Sequence, residues 1–218
     1  MISTLIFDLD GTLLNTLDDL TDAGNRLCAA RGWPQHTPQA FRHLVGNGIP
    51  KLVERLTPEA LRTPEVLQAA LADFRAAYEP HMKDKTAPYP GIPELLQALR
   101  AKGVRVAVYS NKADDFARSV CEEYFGPDAF ALVRGQRPGV PLKPDAAGTL
   151  ALLQELGVQP DECWYIGDSD VDVLTAHNAG MRCCGVTWGF RGREELVRTG
   201  ADALADTPPG VLTACGLA

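Results

Sequence analysis

Along residues 92–205 the chain alternates between two textures, and this alternation limits the fold more than any other feature of the sequence. Short runs rich in Val, Ile, Leu and aromatic residues occupy 104–110, 129–133, 163–167, 183–187 and 203–205, with an earlier one at 2–8. Between them lie segments of helical periodicity at 92–102, 113–125, 145–156, 170–179 and 191–199. Strands that are apolar nearly throughout cannot turn one face to water. The pattern therefore predicts a parallel sheet covered by helices on both faces. Gly103, Gly157, Gly180 and Gly200 sit just past the helical segments, and Pro144 suits a first helical position.

Residues 15–87 break this rhythm. Helical patterns fall at 17–31, 38–45, 48–57 and 64–82, with no convincing strand among them. Stretches such as "LTDAGNRLCAARG" and "VLQAALADFRAAYEPHM" repeat their apolar residues at three-to-four spacing. A helical block inserted after the first strand predicts a small bundle standing over the sheet. The segment "KDKTAPYPGIP" (83–93), rich in proline, returns the chain to it.

A net charge of −7 argues against a nucleic-acid partner or an anionic membrane. With 45% apolar and 22% charged residues, the composition is that of an ordinary globular protein. An acidic protein that takes an anionic substrate needs a metal ion or a few placed cations to hold it. Cys28, Cys121, Cys163, Cys183, Cys184 and Cys215 form no CxxC pair, and unpaired thiols suit a reducing, cytoplasmic setting. No basic, apolar leader and no membrane-length apolar run is found, so neither a signal peptide nor a span is expected.

The polar residues that interrupt the alternation fall at strand ends. Asp8 closes the first apolar run, and Asp10 follows in a turn opened by Gly11. Asp-x-Asp-Gly alone is also an ordinary turn sequence. Ser110 and Asn111 close a second strand where a helix begins, a place for a helix cap or an anion site. Lys143 precedes Pro144 at the start of another helix, where a cation opposes the helix dipole and needs an anionic partner. Asp168, Asp170 and Asp172 follow the strand ending at Gly167. Parallel strands would gather these groups on one edge, where open α/β sheets bind ligands. Acids (Asp8, Asp10, Asp168) beside anion-seeking groups (Ser110, Lys143) suit a hard cation held together with a phosphoryl group. All-oxygen ligands favour Mg²⁺ over softer metals.

The motifs "DLDGT" (8–12), "YSN" (109–111), "LKP" (142–144) and "GDSDVD" (167–172), in this order, resemble those of the haloacid dehalogenase-like hydrolase superfamily. The likeness covers nearly the whole chain. It implies an α/β fold: a Rossmann-like doubly wound parallel sheet core (1–14 and 88–218) with an inserted all-α cap domain (15–87). It implies further that Asp8 is the nucleophile, forming an aspartyl-phosphate, and that Asp10 is the acid and then the base. Mg²⁺ would be held by Asp8, the Asp10 carbonyl and Asp168, with Asp172 orienting them and Thr12 supporting the loop. Ser110 and Lys143, with backbone N–H groups near Gly11 and Asn111, would bind the phosphate.

"HLVGNGIPKLVERL" places Gly46, Asn47 and Gly48 between two cap helices, which is on its own a common helix-helix turn. With "PYPGIPELLQAL" (88–99) it resembles the phosphoglycolate phosphatase branch, and the resemblance implies that this turn sorts substrates. Asn15-Thr16, Gln136 and Arg137 depart from that branch, and the 134–142 loop could alter substrate preference. The expected partner is a small phosphorylated metabolite, with the protein a monomer or homodimer in the cytoplasm. The rival readings are a phosphomutase of the β-phosphoglucomutase kind, a nucleotide or pyrophosphate hydrolase, and a phospho-receiver signalling module. His177, Arg191 and Arg193 read as helix-surface or solvated helix-start residues, and Trp188 as packing near the site or in the core.

Overall fold

The strands of the protein, in chain order, are β1 (Thr4–Phe7), β2 (Leu14–Asn15), β3 (Ala87–Pro88), β4 (Arg105–Ala113), β5 (Leu132–Gln136), β6 (Cys163–Gly167), β7 (Arg182–Val186) and β8 (Ala203–Ala205). The structure, a computed structural model, describes residues 2–218. Six strands form one sheet in the order β5-β4-β1-β6-β7-β8, and every pairing in it is parallel. Successive residues alternate between two cores. Leu5, Phe7, Val106, Val108, Trp164 and Ile166 pack into one; Ile6, Ala107, Tyr109, Cys163 and Tyr165 pack into the other. This is why the strands read as unbroken apolar runs: each residue meets a helix layer on one side or the other. Fully burying a side chain such as Phe7 contributes about 1.5–3 kcal/mol.

The helices are α1 (Leu17–Arg31), α2 (Pro38–Leu44), α3 (Gly48–Leu56), α4 (Pro64–Tyr78), α5 (Ile92–Ala101), α6 (Asp114–Phe125), α7 (Ala146–Leu156), α8 (Asp170–Asn178), α9 (Arg193–Thr199) and α10 (Gly210–Ala214). The first four lie between β2 and β3. Their apolar residues, Phe41, Leu52, Phe74 and Tyr78 among them, continue one of the two sheet cores. The two chain crossings between sheet and helical block pair as a short antiparallel ladder, Leu14 with Pro88 and Asn15 with Ala87. Asp19, buried in α1, fastens the return crossing: its carboxylate accepts from Lys85 N, Thr86 N and Thr86 Oγ1 at 2.7–3.1 Å.

Several boundaries differ from the sequence expectation. The β2–β3 ladder and α10 are not signalled by periodicity, because both are too short to have any. The helix expected to 82 ends at Tyr78 and passes into a 3₁₀ turn at Glu79–His81. Strand β5 lies at 132–136 rather than 129–133. Pro144 does not open a helix; Asp145 is the cap of α7, accepting from Ala147 N at 2.8 Å, and the helix starts at Ala146. Strand β4 continues past Ser110 and Asn111 to Ala113, with a register shift against β5. Among the described residues no helix is long and apolar enough to cross a membrane.

Candidate active site

Asp8 follows β1 directly, and Asp168 follows β6, its neighbour in the sheet. Both carboxylates therefore emerge at the same carboxyl edge. Asp8, Asp168 and Asp172 each present an oxygen within 4.8 Å of the others. Gly11 makes this approach feasible. Its φ of +88° suits glycine, and a Cβ there would lie 2.5 Å from Asp168 Oδ2. Gly167 does the same for Asp172, since a Cβ on it would come within 2.3 Å of that side chain.

Lys143 is the counter-charge to this cluster. Its ammonium donates to Tyr109 O (3.3 Å), Tyr165 OH (2.9 Å) and Asp172 Oδ1 (2.8 Å), which uses its three protons. It also lies 3.0 Å from Asp8 Oδ1. That last contact is an ion pair without a hydrogen bond, so Asp8 Oδ1 is buried with no hydrogen-bond partner. Burial pushes the Asp8 carboxyl up to about 6; Lys143 opposes this, and the charges of Asp172 and Asp10 add to it. Asp168 is raised well above the usual carboxylate range by burial and then by Asp172 and Asp8. Lys143 is held well above its ordinary value: burial acts against its charge, and Asp172 and Asp8 outweigh it.

The other expected residues fall into distinct places. Asp172 accepts from Asp168 N, Ser169 N and Ser169 Oγ through Oδ2, and from Lys143 through Oδ1. Both its oxygens are committed to orienting neighbours. Asp168 takes a 2.6 Å bond from Phe190 N and a 3.5 Å bond from Thr12 Oγ1. The carboxylate of Asp10 stands apart from the acid cluster and faces Lys112. The amide of Gly11 donates to Leu14 O, so Gly11 offers space rather than that N–H to a ligand. Ser110 is buried at the pocket wall. Asn111 uses its side chain as a staple, donating to Gly46 O and Lys143 O and accepting from Lys143 N.

The helical block closes over this edge. A pocket is lined by Asp8, Asp10, Ser110 and Lys112 from the core side, by Gly46 from the turn between α2 and α3, and by Gly48 and Ile49 at the start of α3. Asn47 is not in the lining; it accepts from Arg55 at 2.8 Å and fixes the turn. The 134–142 loop does not line the pocket either. Arg134 pairs with Glu155 instead, and Arg137 is exposed.

Arg191 is not the solvated helix-start residue that its position suggests. It lies on the loop before α9, and its guanidinium donates to the carbonyls of Arg42 and Val45 and contacts His43. Carbonyls at the end of α2 lack intrahelical partners and attract a cation. Arg193 pairs at the surface with Asp206, and His177 with Asp202. Trp188 donates from Nε1 to Thr12 O at 3.0 Å, packing the loop beside the site. Sequence reasoning missed Lys112 and Tyr78. Lys112 is a lone cation ending an apolar strand of an acidic protein, and that was the available signal. Nothing in the sequence pointed to Tyr78.

The model of the family described as haloacid dehalogenase-like hydrolase matches residues 5–186. The chain belongs to this family. It is 37% identical over 212 residues to a phosphoglycolate phosphatase of Rhodospirillum rubrum, covering 94% of this chain and 88% of that one. It is 33% identical over 216 residues to one of Pseudomonas putida, covering 97% and 79%. A crystal structure of a protein from Lactobacillus delbrueckii subsp. bulgaricus matches with a TM-score of 0.89 at 34% identity, over 96% of each chain. The likeness spans the sheet and the helical block together.

Proposed function

We propose that this hydrolase cleaves phosphomonoesters through an aspartyl-phosphate on Asp8, with Mg²⁺, and that its substrate is 2-phosphoglycolate or a similarly small phosphorylated metabolite. The observation that carries this reading is the oxygen of Asp8: buried, unbonded and 3.0 Å from a buried cation, at the floor of a pocket that Asp10 also lines. A buried carboxylate oxygen is left unpaired only at a cost of about 1–3 kcal/mol, which a structural role would not explain.

The residues present fit a divalent ion. Three buried carboxylates converge, one oxygen of Asp8 lacks a partner, and no His or Cys competes among them. Asp8 and Asp168, with the carbonyl of Asp10, would hold it, and Asp172 would orient Asp168 through its backbone N–H. When bound, such an ion neutralises charge on the phosphoryl group.

Catalysis then follows from the chain's own groups. Asp8 attacks phosphorus, the ester P–O bond breaks, and Asp10 gives its proton to the departing oxygen. In the second half Asp10 takes a proton from water, the water oxygen attacks phosphorus, and the acyl-phosphate P–O bond breaks to restore Asp8. Ser110 stands at the same edge to hold the transferring oxygens, and the charge of Lys143, 3.0 Å from Asp8, offsets the negative charge gathered there. The substrate assignment rests on the named relatives and on a pocket whose remaining walls are apolar. The cytoplasm remains the proposed setting, on the strength of six buried, free cysteines.

The test is phosphate release from 2-phosphoglycolate, sugar phosphates, nucleotides and pyrophosphate, with and without Mg²⁺, for the wild type and Asp8→Asn. Release that needs Mg²⁺, is lost in Asp8→Asn and favours 2-phosphoglycolate supports the reading. Release that survives Asp8→Asn overturns it.

A further inference from the structure

Lys112 lies near the end of β4 with its ammonium buried. It donates to Tyr78 OH at 2.8 Å and to Asp10 Oδ1 at 3.1 Å, with Oδ2 of the same carboxylate at 3.4 Å. The hydrolytic mechanism assigns it no step. A buried cation is costly unless its partners compensate it, and here one partner is a neutral phenol from the helical block.

We propose, resting on the hydrolase reading above, that Lys112 selects phosphomonoesters whose leaving group carries an anion, such as a carboxylate, on the carbon next to the ester oxygen. Asp10 must stand within about 2.6–3.2 Å of the departing oxygen to protonate it. Lys112 is a further 3.1 Å from Asp10. The ammonium therefore lies within about 6 Å of where the ester oxygen must stand. That leaves room for one carbon, a carboxylate and a charge-assisted hydrogen bond to it, which is what 2-phosphoglycolate requires.

No other cation is placed to take that charge. The ammonium of Lys143 is spent on Tyr109, Tyr165 and Asp172. The guanidinium of Arg191 is turned to the carbonyls of Arg42 and Val45, and that of Arg55 to Leu44 O and Asn47. Among the described residues lining the pocket, Lys112 is the sole Lys or Arg. The walls beyond it, Leu20, Val45, Ile49 and Leu52, offer a carboxylate nothing. An anionic leaving group facing the ionised Asp8 without a cation would be repelled. With Lys112 it is held, while a neutral leaving group gains nothing from the ammonium.

Tyr78 sets the position of the ammonium through its hydroxyl, which accepts from Lys112 Nζ at 2.8 Å. The helical block thus contributes to selection through a residue outside the pocket lining.

The experiment is a comparison of kcat/KM for 2-phosphoglycolate and for ethyl phosphate, with Mg²⁺, in the wild type, Lys112→Met and Tyr78→Phe. The wild type should prefer the anionic ester. The ratio of the two kcat/KM values should fall about 10- to 100-fold in Lys112→Met, chiefly through KM, as expected for one charge-assisted hydrogen bond. Tyr78→Phe, which keeps the cation and the ring, should lower the ratio by a smaller factor and keeps the test open if Lys112→Met does not fold. Equal losses on both esters in either variant would make Lys112 a residue that only positions Asp10, and would overturn the proposal. Hydrolysis of neither ester by the wild type would instead bring down the hydrolase reading on which the proposal rests.

Discussion

The ammonium of Lys143 stands 3.0 Å from Asp8 Oδ1 without hydrogen-bonding to it, because its three protons go to Tyr109, Tyr165 and Asp172. It neutralises the nucleophile's charge and leaves one oxygen of that carboxylate open. An attacking carboxylate needs both.

Lys143→Met tests this arrangement from the cation's side. Removing one member of a buried ionic cluster leaves Asp8 and Asp172 uncompensated and should cost about 3–5 kcal/mol, read from urea unfolding of the metal-free protein. Activity of the folded fraction should drop at least about 100-fold, as for loss of a charge-stabilising donor.

Asp8→Asn should make the metal-free protein more stable while abolishing turnover. The folded-state value of Asp8, about 6, lies above its ordinary 3.8. Between those values the folded protein holds a proton that the unfolded chain has released. The contribution of Asp8 to stability is therefore intact below 3.8 and lost as pH rises through 6. At pH 7.5 the Asn variant should exceed the wild type by up to roughly 3 kcal/mol, a gap that shrinks as pH is lowered towards 4. Urea midpoints across that range check it; a gap that widens on acidification would contradict the sign.

Arg191 ties the loop before α9 to the end of α2 through the carbonyls of Arg42 and Val45. Arg191→Ala should cost about 1–2 kcal/mol and leave the turn at 45–48 less firmly held over the pocket. Faster cleavage near residues 42–48 in limited proteolysis, with a higher KM, is the expected outcome. Unaltered cleavage would mean that the contact contributes nothing to closure.

Asp19→Ala removes the acceptor shared by Lys85 N, Thr86 N and Thr86 Oγ1. Buried donors are then stranded at the return crossing, and stability should fall by about 1–3 kcal/mol in urea unfolding, while Asp19→Asn should lose less.

The sheet is legible because its inner strands are buried on both faces, and a run such as Leu5–Ile6–Phe7 has no other reading; the edge strands β5 and β8 are only partly buried. The strand-end acids were legible for the same reason: Asp8 and Asp168 stand where an apolar run stops. Elements formed by tertiary contact were not. Leu14–Asn15 and Ala87–Pro88 pair across the whole helical block, and no local pattern encodes that ladder. Arg191 looked solvated because its partners, main-chain carbonyls on α2, are invisible in a sequence. Lys112 is not legible because the apolar run of β4 stops at Ser110, and the partners of its ammonium, Asp10 and Tyr78, lie far away in the chain.

In the proposed mechanism Asp8, rather than Asp10 or an activated water, attacks phosphorus. The most direct measurement is acid quenching of the wild type during turnover of 2-phosphoglycolate with Mg²⁺, followed by borohydride reduction and mass spectrometry of the N-terminal peptide. An aspartyl-phosphate is reduced to homoserine, and homoserine is expected at position 8. Homoserine at position 10, or no reduced residue while phosphate is being released, would contradict it.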